Sequence, residues 1–400
     1  MTNRCSLLFP TRREFVIGAA ATALCAANPA KERLRIVSVP SGGIQPQVAE
    51  SEGVLHMIYF VGDPRHGDVF YTRSPDFGGA FSTAVRVNSQ EGSAIAVGAI
   101  RGAQISVGKR NRVHVAWNGS DQAEPRGPTN PESGQPGSPM LYARLNDLGS
   151  SFEPQRNLMQ ETFGLDGGGS VAADHSGNVY VAWHGKAPGA QQGEAARKIW
   201  IARSRDEGRT FDNERAASKD PTGACGCCGM KIFVDSGGAI YGLYRSATED
   251  VHRDIYLLRS DDGGKTFSVA LLHPWNINAC PMSSMSLVES ENVVLGAWET
   301  QAQVYFAPVS GGVALARAAI VAPPGESPKR KYPAVTRNRR GETLVAWVEG
   351  AGWQRGGLLG WQLFDATGRP SAACDVPRSV PVWSFPAIFV RPDEGFTIVV

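Results

Sequence analysis

The chain has 400 residues, a formal net charge of +2 and 20% charged side chains. That balance, with no basic stripe, excludes nucleic acid and anionic membrane as partners that composition alone would recruit. The 46 glycines and 26 prolines, set among aromatics along the whole length, point to many tight turns rather than disorder.

Residues 1–30 read as an address. Thr11-Arg12-Arg13-Glu14-Phe15-Val16 resembles a twin-arginine export motif. An apolar run follows over residues 16–27 and ends in small residues up to Ala30. The run is shorter than the ~20 residues of a membrane span. Basic flank, apolar stretch and small residues form the processing pattern of a signal peptide. A buried N-terminal helix is the plainer alternative. Leu24 is too large to precede a lipidated cysteine, which sets Cys25 aside as an anchor. Cleavage is expected near residues 27–30, leaving one domain over 31–400, periplasmic or secreted, with no membrane span.

From residue 44 one pattern recurs: a short strand, a turn with Gly or Asn, then an apolar strand ending in an aromatic. The second strands are predicted over 54–60, 113–117, 179–183, 240–244, 293–298 and 343–347, and 395–400 begins another. Alternation and the β-branched and aromatic content favour strands. Strand pairs then fall at 44–60, 103–117, 169–183, 230–244, 283–298, 332–347 and 385–400, which makes seven.

A second signature follows most pairs. Ser74-Pro-Asp76-Phe-Gly78-Gly-Ala-Phe81, Ser204-Arg-Asp206-Glu-Gly208-Arg-Thr-Phe211 and Ser260-Asp-Asp262-Gly-Gly264-Lys-Thr-Phe267 match one another. Leu145-Asn-Asp147-Leu-Gly149-Ser-Ser-Phe152 lacks only the serine, and Phe364-Asp365-Ala-Thr-Gly368 is a worn copy. In such a turn the aspartate accepts backbone N–H groups, the glycine supplies positive φ and the aromatic staples the turn to its sheet. The series resembles the Asp box of sialidases and related propellers. With it each repeat offers four strands, A to D, and a sheet of that size buries its faces only by stacking in a ring. The predicted fold is all-β, a single propeller of seven four-stranded blades. The last blade is composite and is closed by residues 32–38. Six blades, as in sialidases, is the alternative, and a β-sandwich or two small β domains is the competing architecture.

The resemblance places the Asp-box turns, with Asp76, Asp147, Asp206 and Asp262, as structural staples on one face. The B–C loops and D–A crossings lie on the other face, where function is expected. Asn118, His184, Arg245 and Glu299 directly follow strand B, and Glu349 follows Trp347 by two places. They are expected to ring the mouth, with a solvated rim of unrelated polar groups as the plainer reading. The insertions 119–139 and 185–197 are expected to shape it. Sialidase chemistry implies three arginines clamping a carboxylate bidentately, a tyrosine with a glutamate partner, and an aspartate acid/base. The matching positions are Arg245, Tyr332 and Asp63, with Asp68 beside Asp63. The glutamate expected on inner strand A of the fourth blade is absent from Met230-Lys-Ile-Phe-Val234, and Glu299 from the next blade is the substitute. Ile44-Gln45-Pro46 stands where the family has Arg-Ile-Pro, so Arg101 and Arg330 are the candidates to rebuild the clamp.

Of the seven cysteines, Cys5 and Cys25 precede the expected cleavage, leaving Cys225, Cys227, Cys228, Cys280 and Cys374. Ala224-Cys-Gly-Cys-Cys-Gly229 lies on the crossing into the fourth repeat and Cys280 on the crossing into the fifth. The pair of motifs resembles a bacterial subgroup of sialidase-like proteins with a Cys-x-Cys-Cys element. In an oxidising compartment a Cys228–Cys280 disulfide is expected, contributing roughly 3 kcal/mol. Cys374 is then the odd thiol. A thiolate site for copper(I), zinc or iron–sulfur is the sharper alternative, though no second Cys pair or His-x-x-His supports it. The expected function is that of an exported sialidase-superfamily protein engaging a glycan or other extracellular ligand at the mouth, as an exo-α-sialidase or related glycoside hydrolase. A non-catalytic propeller binding protein or polysaccharide is the rival, and a cysteine-ligated metalloprotein the third reading. No cofactor and no metal ligand is assigned.

Overall fold

A computed structural model describes residues 33–249, 251–325, 329–374 and 376–400. The expected signal peptide, with Cys5 and Cys25, lies outside the described residues. Seven small sheets stand around one axis as a seven-bladed β-propeller. No helix among the described residues is long and apolar enough to cross a membrane.

The first blade pairs Ile44–Ser51, Val54–Asp63, His66–Ser74 and Val85–Arg86 in that order. The second pairs Gln104–Val107, Val113–Asn118, Met140–Arg144 and Arg156–Asn157. The third is Ser170–Ala173, Val179–Gly185, Lys198–Ser204 and Arg215–Ala216, and the fourth Lys231–Val234, Ile240–Arg245, Ile255–Ser260 and Ser268–His273. The sixth is built on Arg330–Arg337, Thr343–Glu349, Gly357–Phe364 and Pro370–Ala373.

Two blades depart from four strands. The fifth has Ser286–Ser290, Val293–Thr300 and Gln303–Pro308, and the helix Val313–Ala318 follows where strand D was expected. No Ser-x-Asp-x-Gly turn follows Pro308. Instead Gly311-Gly312 leads into Ala, Leu and Arg, all strong helix formers, and buried Ala316 packs beneath the blade. The seventh blade has Ala387–Val390 and Phe396–Val399, and Leu34–Val37 joins it in parallel, Ile36 facing Ile398. The N-terminal strand thus closes the ring as the sequence predicts, and the blades number seven rather than six.

The second strands carry the core. Val113–Asn118 and Val179–Gly185 are buried at every position, as expected of strands covered on both faces by neighbouring blades. Trp117, Trp183, Trp298 and Trp347 end these strands in equivalent, buried places. A cavity of about 120 Å³ on the axis is lined from all seven blades, by Pro46, Ile100, Gly169, Lys231, Ser286, Tyr332 and Phe385 among others. Toward the A–B turns the axis opens into a wider mouth of about 820 Å³.

The C–D turns show why their residue types recur. Ser204 Oγ donates to Asp206 Oδ1 at 2.7 Å and accepts from Gly208 N at 2.9 Å, while Asp206 also takes Thr210 N at 2.9 Å and Thr210 Oγ1 at 2.7 Å. Asp262 repeats this pattern, and Asp76 repeats it without the hydroxyl bond, since Ala80 stands in place of the threonine. Glu207 and Gly208 have φ of 60° and 76°, so the glycine spares one of two left-handed positions its steric cost. Asp147 corrects the expectation. Where Leu145 replaces the serine, Asn146 takes the turn amide of Ser150 at 3.1 Å, and Asp147 swings out to pair with Arg112.

Burial alone would raise the Asp206 carboxyl, but Thr210 and Ser204 hold it down to about 2. A depressed acid contributes stability above its usual value near 4, and that stability is lost as pH falls toward 2. Asp206→Asn is therefore expected to destabilise at pH 6 by about 1–2 kcal/mol and to show a shallower loss between pH 4 and 2. Chemical unfolding at both pH values checks this, and parallel curves for the two proteins would rule it out.

Candidate functional site

Four of the five residues expected to ring the mouth are covered. Asn118, His184 and Arg245 are each 2% exposed and Glu299 1%. This corrects the expectation of an open polar rim. D–A crossings fold over the ends of strand B: Asn118 Nδ2 donates to Asp166 O, on the crossing into the next blade, at 2.7 Å, and Cys225 N, on the crossing into Arg245's own blade, donates to Arg245 O at 2.9 Å.

Arg245 and Glu299 form a buried pair, Nη2 to Oε2 at 3.1 Å. Nη2 also donates to Glu299 O, Nη1 donates to Arg253 O at 2.7 Å, and Trp275 stacks over the guanidinium at 5.1 Å. Glu299 Oε1 accepts Ala302 N at 2.9 Å. Burial pushes the Glu299 carboxyl up to about 7, against the pull of Arg245.

The other two arginines are equally occupied. Arg101 gives Nε to Asp166 O at 3.0 Å, Nη1 to Val97 O at 2.9 Å and Nη2 to Asp166 Oδ1. Arg330 opens the sixth inner strand, pairs with Glu349 at 3.3 Å, gives its terminal nitrogens to Gln303, Pro323 and Pro324, and lies 4.7 Å over Trp347. Glu349 in turn accepts Trp347 Nε1 at 2.9 Å. Every terminal nitrogen of Arg101, Arg245 and Arg330 already donates to a protein acceptor in this conformation.

Tyr332 is 7% exposed and stands at φ 56° on a β-bulge between Lys331 and Ala334. Gln45 sits on a matching bulge, φ 57°, in the first blade. Such bulges re-aim side chains, and Tyr332 turns onto the axial cavity opposite Phe385. Burial raises its phenol, and Cys228 and Glu299 raise it further, which disfavours the phenolate a nucleophile needs. Asp63 is exposed and accepts Arg65 N at 2.8 Å. Among the described residues no hydrogen bond or ion pair joins it to Arg245, Glu299 or Tyr332.

Cys228 and Cys280 do not meet. Cys280 is exposed and Cys228 is 1% exposed, and no bond joins them. A turn closed by Cys228 N to Cys225 O at 3.3 Å gathers Cys228 with its sequence neighbours instead. Cys225 Sγ lies 3.3 Å from Cys227 Sγ and 3.5 Å from Cys228 Sγ.

Sequence reasoning passed over the exposed surface of this face. Trp353, in the sixth B–C loop, is 44% exposed. It meets Trp383, from the crossing into the seventh blade, edge-on at 6.4 Å. It also reaches the crossing into the second blade, where a Cβ on Gly98 would come within 2.9 Å of its ring. The two indoles thus make an edge-on apolar pair that joins the sixth and seventh blades and touches the crossing into the second. A tryptophan in a glycine-flanked loop rather than at a strand end was the available signal. Lys231 was also missed: it faces the axis, donates to Gln104 Oε1 at 2.7 Å, and burial lowers its ammonium to about 8.

No protein-family model and no curated protein matches the chain. Solved structures do. An α-L-arabinanase of Penicillium chrysogenum is 13% identical over 82% of this chain and 95% of that chain, with a TM-score of 0.53. An α-L-arabinofuranosidase of Fusarium graminearum is 10% identical over 83% and 97%, TM-score 0.53. A Hadza microbial sialidase is 14% identical, TM-score 0.47, over 76% of this chain, which spans 66% of the sialidase's length. At these identities the first two likenesses establish the propeller fold.

Proposed function

We propose that the chain is an exported propeller that binds a carbohydrate across the Trp353–Trp383 pair. The carrying observation is that pair: solvent-facing indole on a rigid scaffold, on the face formed by B–C loops and D–A crossings. The C–H face of a sugar ring packs on indole, and exposed aromatic surface of this kind marks a ligand site. The arabinanase and the arabinofuranosidase were both solved with arabinobiose bound, which supports the same ligand class. Export rests on the Arg12-Arg13 motif and the apolar run after it. Trp353→Ala is expected to weaken glycan binding by about tenfold or more, with its thermal midpoint near that of the parent chain. A glycan array followed by calorimetry on the best ligand measures this; undiminished affinity would remove the pair from the reading.

Glycosidic hydrolysis, by an exo-α-sialidase or related enzyme, is the finer reading. Asp63 would be the acid/base, and Arg245, Glu299 and Tyr332 would move into contact with substrate. The commitment of all three clamp arginines to protein acceptors favours the second reading, a binding propeller without turnover. Release of a fluorophore from an α-sialoside or α-L-arabinofuranoside, lost in Asp63→Asn, supports hydrolysis. Binding without release supports the second reading.

A further inference from the structure

We propose that Cys225, Cys227 and Cys228 form a three-thiolate site for one copper(I) ion, on the crossing into the fourth blade. All three Sγ atoms lie within 4.8 Å of one another, and no other Cys, His, Asp or Glu among the described residues offers an atom to that group. Three sulfurs without a fourth ligand suit a soft monovalent ion better than the four-ligand shell of structural zinc.

The loop is held from several blades. Gly226 N donates to Glu194 Oε1 at 2.8 Å, Gly167 N to Gly226 O at 2.8 Å, and Gly229 N to Ser283 O at 2.9 Å. The backbone is close-packed there: a Cβ on Gly168 would come within 2.6 Å of Cys228 O. The sulfurs are therefore brought together before any ion arrives.

Cations stand beside the sulfurs, and carboxylates do too, with Glu194 within reach of Cys225 and Glu299 of Cys228. Three thiolates around a monovalent ion leave a doubly negative cluster. Arg253 lies within electrostatic reach of Cys225 and Cys227, and Arg245 and Lys331 within reach of Cys228. Arg253 is fixed by Glu194 at 2.6 Å, so its charge is held beside the sulfurs. His184 adds a second observation. Both of its ring nitrogens are buried without a hydrogen-bond partner, and it stands within electrostatic reach of Cys228. Buried imidazoles are ordinarily satisfied, and this one lies beside the cluster without belonging to the three-sulfur group. Binding would displace the thiol protons to solvent, and no electron would be transferred.

The test is a titration of the full mature chain, reduced and kept anaerobic, with copper(I) in competition with bathocuproine disulfonate. One copper(I) is expected to stay with the protein. Cys225→Ser, Cys227→Ser and Cys228→Ser are each expected to lower affinity by roughly 100-fold or more, and Cys280→Ser to leave it unchanged. Because buried serines could unfold the loop, alkylation of the parent chain is the second measurement: copper(I) should shield these three thiols from iodoacetamide and leave Cys280 reactive. Complete loss of copper to the competitor, zinc held more tightly than copper(I), or a disulfide within the cluster in the chain as isolated would each overturn the assignment.

Discussion

Glu299→Ala is expected to cost about 3–5 kcal/mol at pH 8, because it strands a guanidinium that has no route to water. The Arg245 side chain has 0% exposure and Glu299 1%. The residual acceptors, Arg253 O and Glu299 O, remain after truncation but carry no charge. Removing both ions behaves differently. An ion pair withdrawn from water recovers through mutual attraction little more than desolvation takes away. Arg245→Met with Glu299→Leu is therefore expected to fall within about 2 kcal/mol of the parent, well above either single variant. Urea unfolding of the four proteins measures the cycle, and a single-variant loss below about 1 kcal/mol would show that solvent reaches the pair.

The contrast between fold and site has a physical origin. Trp117, Trp183, Trp298 and Trp347 announce the ring because each is a local feature: an alternating run, then a ring at the strand end. Arg245 does not disclose its surroundings in the same way. Its partners Trp275, Arg253 and Glu299 come from two blades and three segments, and periodicity says where a strand stops but not how far the next crossing folds back over it. The cysteines show the same limit. Compartment and blade adjacency suggested Cys228 with Cys280, whereas a turn closed over Cys225 and Cys228 placed three near neighbours together. Asp147 failed for a local reason, since the missing serine let Asn146 take the turn.

Removal of residues 31–38 is expected to destabilise the chain by at least about 5 kcal/mol, a large part of what holds a typical domain folded. Without them the seventh blade is a two-stranded ribbon, which is marginal in water. Phe396 N loses Arg33 O at 2.9 Å, Val400 N loses Val37 O at 3.0 Å, and Arg391 Nη2 loses Arg33 O at 3.1 Å. Leu34 and Ile36 pack into the cluster of Trp361, Phe385 and Ile398, while Val37 packs on the other side with Met57 and Phe389. The strand therefore joins the sixth, seventh and first blades at once. Each apolar side chain contributes on the order of 1–2 kcal/mol and each ladder bond roughly 0.5–1.5. The parallel pairing follows from the path. Inner strands start on the Trp353–Trp383 face, so the strand leading into Ile44 must run toward that face, as Phe396–Val399 does. With no third strand between them the two can only be parallel. The truncated chain should melt well below the parent and associate through its open edge. A peptide of residues 31–40 added in trans should raise the midpoint, and an Ile36→Asp peptide should not. A truncated chain that unfolds with the parent's midpoint would show that the ring does not depend on this closure.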